Sequence, residues 1–130
     1  MRPIFGPGVV YDVPPEKVHV VLSGYDAERF VPADPPAAPD GEPYVLYVGN
    51  VMPHKNLVRL VEAFAQVARR LPVRLVLRGW GRPPHVRMLR ERIATLGLEA
   101  RVDWRPYAED EELVTLYRGA RALVLPSLHE

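Results

Sequence analysis

The chain has 130 residues, the size of one domain, with 17 Lys and Arg against 16 Asp and Glu, giving a formal net charge of +1. That balance removes the electrostatic reason to expect nucleic acid or an anionic membrane surface as a partner. With no cysteine there is no disulfide, thiol nucleophile or cysteine-held metal, and no run approaches the ~18 apolar residues of a membrane span.

Residues 1–12 hold one arginine and two prolines but no long apolar stretch, so they do not read as a signal peptide. Residues 18–22 (VHVVL) form a short β-type run after the breaker Pro14-Pro15, and Ser23-Gly24-Tyr25-Asp26 reads as a turn. Pro32, Pro35, Pro36, Pro39 and Pro43 crowd a stretch without periodicity. Proline fixes φ and removes donors, so residues 31–43 read as an extended linker between a short N-terminal piece, residues 1–30, and a main unit, residues 44–130.

The main unit alternates strand and helix. Residues 44–48 (YVLYV) are a continuous apolar run, as in a strand buried on both faces. Leu57, Leu60, Val61, Phe64, Val67 and Ala68 share one face of a helix expected over residues 57–70, with Asn56 as N-cap and Arg69-Arg70 at the negative end of its dipole. Residues 73–77 give a second strand. Val86, Leu89, Ile93 and Leu96 mark a second helix closed by Gly97, and residues 102–105 a third strand. Glu109, Asp110, Glu111 and Glu112 open a third helix, where carboxylates favour the exposed N–H groups, with Leu113, Leu116, Tyr117 and Ala120 as its buried side. Residues 122–125 are the fourth strand. Four strands separated by three amphipathic helices predict an α/β domain with a doubly wound parallel sheet of order 3-2-1-4.

In such a sheet a ligand sits beyond the carboxyl ends of the strands where the winding reverses, here between strands one and four. The loop after the first, residues 49–56 (GNVMPHKN), then faces the loop after the fourth, residues 126–130 (PSLHE). Gly49 allows close backbone approach, the helix beginning near Asn56 offers free N–H groups, and Lys55 adds a positive charge, a combination suited to phosphate. Residue type and spacing equally suit a turn glycine and a solvated lysine. Neither GxGxxG nor GxxxxGK[ST] is present.

The residues also match a longer pattern. The runs Tyr44-Val45-Leu46-Tyr47-Val48-Gly49, Lys55-Asn56-Leu57 and Glu62-Ala63-Phe64 resemble the "YVG…KNL…EAF" signature of glycosyltransferase family 4. Leu113, Leu116-Tyr117, Ala120, Ala122-Leu123-Val124, Pro126-Ser127 and Glu130 resemble its "L..LY..A.ALV.PS..E". The earlier Pro15-Glu16-Lys17-Val18-His19-Val20-Val21, with Gly24, Asp26 and Phe30, resembles the segment preceding its domain crossover.

The resemblance implies a retaining enzyme of the two-domain GT-B fold. This chain would supply the tail of the acceptor domain (1–30), the linker (31–43) and an incomplete Rossmann-like nucleotide-sugar domain (44–130). The implied donor is a UDP- or GDP-linked sugar, with no cofactor and no metal. The implied acceptor is a glycan or lipid-linked molecule, held mainly by an N-terminal domain this chain lacks. No nucleic acid is implied, and the setting is cytoplasmic, free or peripheral at the inner membrane surface.

Carried over position by position, Lys55 matches the donor-phosphate lysine. Gly49 and Asn50 precede it in the same phosphate-binding loop, and Asn50 stands where many members have arginine as a second phosphate contact. Arg105-Pro106-Tyr107 matches the stretch whose backbone meets the nucleobase, with Pro106 replacing the usual glycine. Ser127 lies in the donor crevice, and Glu130 matches the first glutamate of the E-x7-E motif and carries the catalytic role. The second glutamate falls beyond residue 130, so the chain by itself is expected to transfer no sugar. A GT-B-like epimerase and a non-catalytic binding module are the alternatives.

Among single residues, His54 reads as a solvated loop side chain and Trp80 as a packed loop aromatic. His19 reads as a structural or exposed strand residue, His85 and His129 have no evident partner, and residues 109–112 read as helix-end electrostatics and not as a metal site.

Overall fold

The computed structural model describes residues 14–32 and 41–129. Its centre is a four-stranded sheet of β1 (Tyr44–Val48), β2 (Arg74–Arg78), β3 (Val102–Arg105) and β4 (Ala122–Leu123). Every pairing is parallel and the order is β3-β2-β1-β4, as the alternation of elements predicts. The crossovers are α1 (Leu57–Ala68), α2 (Pro83–Thr95) and α3 (Asp110–Gly119).

Alternation along the strands divides the core into two layers. Tyr47, Leu75 and Leu77 face α1 and α2, which contribute Leu57, Leu60, Val61, Phe64, Leu89 and Ile93. Tyr44, Leu46 and Val76 face the other way and meet Leu116 of α3. The Tyr44 hydroxyl donates to the Leu116 carbonyl at 2.8 Å, so this buried phenol keeps a partner. Glu62 and Arg92 join α1 to α2, with Nη2 to Oε1 at 2.7 Å. This half-exposed pair is worth less than about 1 kcal/mol.

Two prolines begin α2, where their missing N–H groups cost nothing. Its other end is a Schellman motif: Gly97 lies at φ 64°, its N–H donates to Ala94, and the Leu98 N–H donates to Ile93.

Several local expectations are corrected. Residues 18–22 form no strand, and Val20, Val21 and Leu22 are each 87% exposed; a strand needs a neighbouring ladder, and none of the described strands pairs with this run. Helix α1 stops at Ala68, and the Arg70 and Leu71 N–H groups turn back to the Val67 carbonyl. Strand β2 is shifted one residue onward and ends in a buried arginine, Arg78. Strand β4 is two residues long: the Val124 N–H still donates to Leu46 at 2.8 Å, but Pro126 has no N–H to continue the ladder.

Tyr117 is 37% exposed and not a core residue. Its cover comes from the N-terminal piece, whose Phe30 ring meets it edge-on at 5.7 Å. Arg29 pairs with Asp110 at 2.9 Å, and Arg118 donates to the Val31 carbonyl at 2.9 Å. Residues 29–31 are therefore tied to α3.

Burial raises the Tyr117 phenol above its ordinary value of 10.0, because the charged phenolate is the form that desolvation penalises. The sign follows: the neutral ring's contribution to stability is fully present below the unfolded-state value and is lost as pH rises through the raised one. Ultraviolet titration of Tyr117→Phe should therefore lack a component that ionises above the ordinary phenol range. Loss of only an ordinary-range component would contradict this.

Candidate functional site

A parallel sheet delivers all its strand-exit loops to one end. Gly49, Asn50 and Lys55 follow β1, Arg105-Pro106-Tyr107 closes and follows β3, and Ser127 follows β4. Order β3-β2-β1-β4 spreads these over three inter-strand steps, roughly 14 Å at ~4.8 Å each, which suits an elongated ligand.

The loops after β1 and β4 close on each other. The Asn56 side-chain amide donates to the Pro126 carbonyl at 3.1 Å, and the Leu128 N–H donates to the His54 carbonyl at 2.8 Å. Above these bonds the rings of His54 and His129 stack, with centroids 5.2 Å apart and planes 27° from parallel. The switch-point crevice deduced from element order therefore has both of its walls in contact.

The wall after β1 is shaped by its backbone. Gly49 sits at φ 154°, and an added Cβ would lie 2.8 Å from the Tyr47 hydroxyl. That hydroxyl donates to the Asn50 carbonyl at 3.0 Å and folds the turn over the end of β1. Residues Pro53–Lys55 make one 3₁₀ turn, and Asn56 follows at φ 60° in the left-handed region. The N-cap expectation for Asn56 is thus only positional. Its side chain makes no cap bond to α1, because its amide reaches across the crevice to Pro126. The first turn of α1 keeps its N–H groups free of a side-chain cap. Lys55 is partly buried immediately before that turn.

On the opposite wall, the Ser127 hydroxyl is buried and has no hydrogen-bond partner among the described residues. A buried hydroxyl left unpaired costs free energy. Glu130 lies outside the described residues. At the far end of the row Tyr107 is 73% exposed, Pro106 is exposed, and the Arg105 carbonyl accepts the Gly79 N–H at 3.1 Å. Among the described residues no three His, Asp or Glu side chains converge to hold a metal ion. A cleft of 590 Å³ lies elsewhere, against Phe30 and Tyr117. Its lining is mainly apolar, with Arg118 at its wall.

Three features escape the sequence reading. His54 is partly buried against His129; that each histidine adjoins a motif residue, Lys55 and Glu130, is the one signal for their pairing. The indole that packs is Trp104, donating to the Gly79 carbonyl at 3.0 Å, whereas Trp80 is about half exposed. Arg78, buried at the end of an apolar strand, is the third.

Residues 33–130 match the family model described as glycosyl transferases group 1. The chain belongs to this family. It is 35% identical over 136 residues to a D-inositol 3-phosphate glycosyltransferase of Frankia alni, covering 93% of this chain and 33% of that protein. It is also similar to the sucrose-phosphate synthase of Thermosynechococcus elongatus, at 29% identity and TM-score 0.69 over 82% of this chain and 28% of that one. The Anabaena protein HepE, crystallised in complex with UDP, shares the fold at TM-score 0.74 and 20% identity, over 89% of this chain and 34% of that one. The group 1 chain described here spans about a third of the length of the curated relatives it matches. No helix among its described residues is long and apolar enough to cross a membrane.

Proposed function

We propose that this group 1 chain supplies the donor side of a retaining glycosyltransferase of the family 4 type, acting on a UDP- or GDP-linked hexose. The observation that carries the reading is the closure of the Lys55 loop onto the Ser127 loop at the switch point, through Asn56 to Pro126 and Leu128 to His54. In this reading the diphosphate lies against Gly49, Asn50, Lys55 and the uncapped start of α1, where backbone N–H groups, the helix dipole and one ammonium neutralise it without a metal. The base lies along Arg105, Pro106 and Tyr107. The sugar points toward Ser127 and Glu130, with Glu130 at the reacting centre. Membership of group 1 and the architecture shared with a UDP-bound protein support this arrangement.

The same reading assigns residues 1–30 to the tail of an acceptor-binding domain, 31–43 to a linker and 44–130 to the donor domain, in a cytoplasmic enzyme working on a glycan or lipid-linked acceptor. Transfer requires both halves to close and exclude water, so these 130 residues alone bind donor without transferring it. Calorimetric titration with UDP- and GDP-sugars tests this. Saturable binding of one series, without sugar release to added acceptors, is expected. Binding of neither would leave a scaffold module as the reading, and transfer by the isolated chain would remove the two-half requirement.

A further inference from the structure

Arg78 is a charged side chain that the crevice does not use, yet only 4% of it is exposed. It ends β2 on the sheet face turned toward α3. Its Nη2 donates to Asp103 Oδ2 at 2.9 Å and to Glu112 Oε1 at 3.2 Å. Its Nε reaches the same Glu112 oxygen at 3.3 Å. Its Nη1 donates to the carbonyls of Leu77 at 3.0 Å and Asp103 at 3.3 Å. A buried guanidinium is tolerated only when its charge and its donors are met, and here two carboxylates and two carbonyls meet them.

The two carboxylates have a particular placement. Asp103 lies in β3 and Glu112 in the first turn of α3, so Arg78 grips both ends of the connection that carries Arg105, Pro106 and Tyr107. Pro106 deprives that connection of one N–H, and its backbone is anchored at the two ends, by Gly79 N–H to the Arg105 carbonyl and Leu113 N–H to the Glu109 carbonyl. Arg105 touches the same carboxylates from outside, at 3.4 Å to Asp103 and 3.8 Å to Glu112. With 61% of its side chain exposed, it is the looser member of the pair.

We propose that Arg78 is a positioning residue for nucleobase recognition. Working through Asp103 and Glu112, it sets the height and angle at which residues 105–107 present their backbone to the base, and it never touches the ligand itself. The inference rests on the donor reading above. Because the diphosphate end is built by other loops, Arg78 separates the two halves of the ligand: its loss disturbs base contacts and spares phosphate contacts.

The test compares the wild-type chain with Arg78→Met and Arg78→Lys by calorimetric titration. The probes are UDP or GDP, whichever the wild type binds, and inorganic pyrophosphate. Arg78→Met should weaken the nucleoside diphosphate about tenfold, corresponding to ~1.4 kcal/mol, and leave pyrophosphate unchanged, with Arg78→Lys intermediate. Equal losses for both probes would reduce Arg78 to a general structural role and overturn the inference, as would unchanged nucleoside diphosphate affinity. Wild-type protein that binds neither UDP nor GDP would sink the donor reading itself. If Arg78→Met does not fold, Glu112→Gln, which keeps the Asp103 contact, is measured against the same outcomes. Amide exchange gives a ligand-free readout: faster exchange confined to residues 107–109 supports the clamp, and a uniform increase across β1 and α1 overturns it.

Discussion

Replacing Gly79 by alanine should destabilise the domain by about 3–5 kcal/mol, the sum of a strained backbone and an unrelieved overlap. Gly79 lies at φ 153°, a region side chains other than glycine rarely adopt, and an added Cβ would stand 1.8 Å from the Gly49 carbonyl oxygen. That oxygen is backbone, so no rotamer change relieves the overlap, and the loops after β1 and β2 must separate. They are otherwise stitched together by the Gly49 N–H to the Arg78 carbonyl at 2.9 Å and the Val51 N–H to the Trp80 carbonyl at 2.8 Å. Val51 and Gly81 form a parallel bridge just beyond, where a Cβ on Gly81 would meet Val51 at 2.6 Å. The comparison is Gly97→Ala. Gly97 is also at positive φ, but nothing lies within 4 Å of its added Cβ, so only the conformational cost of about 1 kcal/mol remains. Urea unfolding of both variants decides the matter. Equal midpoints would mean that the two loops do not approach as closely as described. Because Gly49 is in the proposed phosphate wall, Gly79→Ala should also weaken donor binding under conditions where it remains folded.

Lys55→Met should weaken UDP or GDP binding by about 30- to 100-fold, the loss of one charge-assisted contact worth ~2–3 kcal/mol. Lys55 ends the 3₁₀ turn, one residue before the left-handed Asn56 and two before the first turn of α1. In the proposed donor site its ammonium adds to the helix-end N–H groups, and methionine keeps the stem while removing the charge. A solvated lysine on the protein's surface would behave differently. Its removal would change affinity by no more than Lys17→Met, which alters the same net charge in a separate 3₁₀ turn, Pro15–Lys17. Titration of both variants at two salt concentrations separates the cases. Matching affinities for Lys55→Met and Lys17→Met would leave the phosphate assignment without support.

The parts of the fold legible in the residues are those governed by local periodicity. The uninterrupted apolar run at Tyr44–Val48 reads as a strand covered on both faces, and Leu57, Leu60, Val61 and Phe64 recur at the helical period. Gly97 announces the end of α2 because the left-handed conformation there suits glycine. Element order then decided the sheet order and, through it, the end of the sheet at which Lys55 and Ser127 lie, since right-handed crossovers leave little choice.

What tertiary structure alone decided are contacts between residues far apart in the chain. Asn56 has the composition of an N-cap and the location of one, yet its amide goes to Pro126, seventy positions away. Tyr117 has the spacing of a core residue and lies half-covered, because its cover is Phe30 and not the sheet. Arg78 would be expected at the surface, and only the approach of Asp103 and Glu112 lets it stay buried. The physical reason is common to all three. Periodicity and propensity act within a few residues, whereas the satisfaction of a buried polar group depends on which partner the folded chain brings within hydrogen-bond distance.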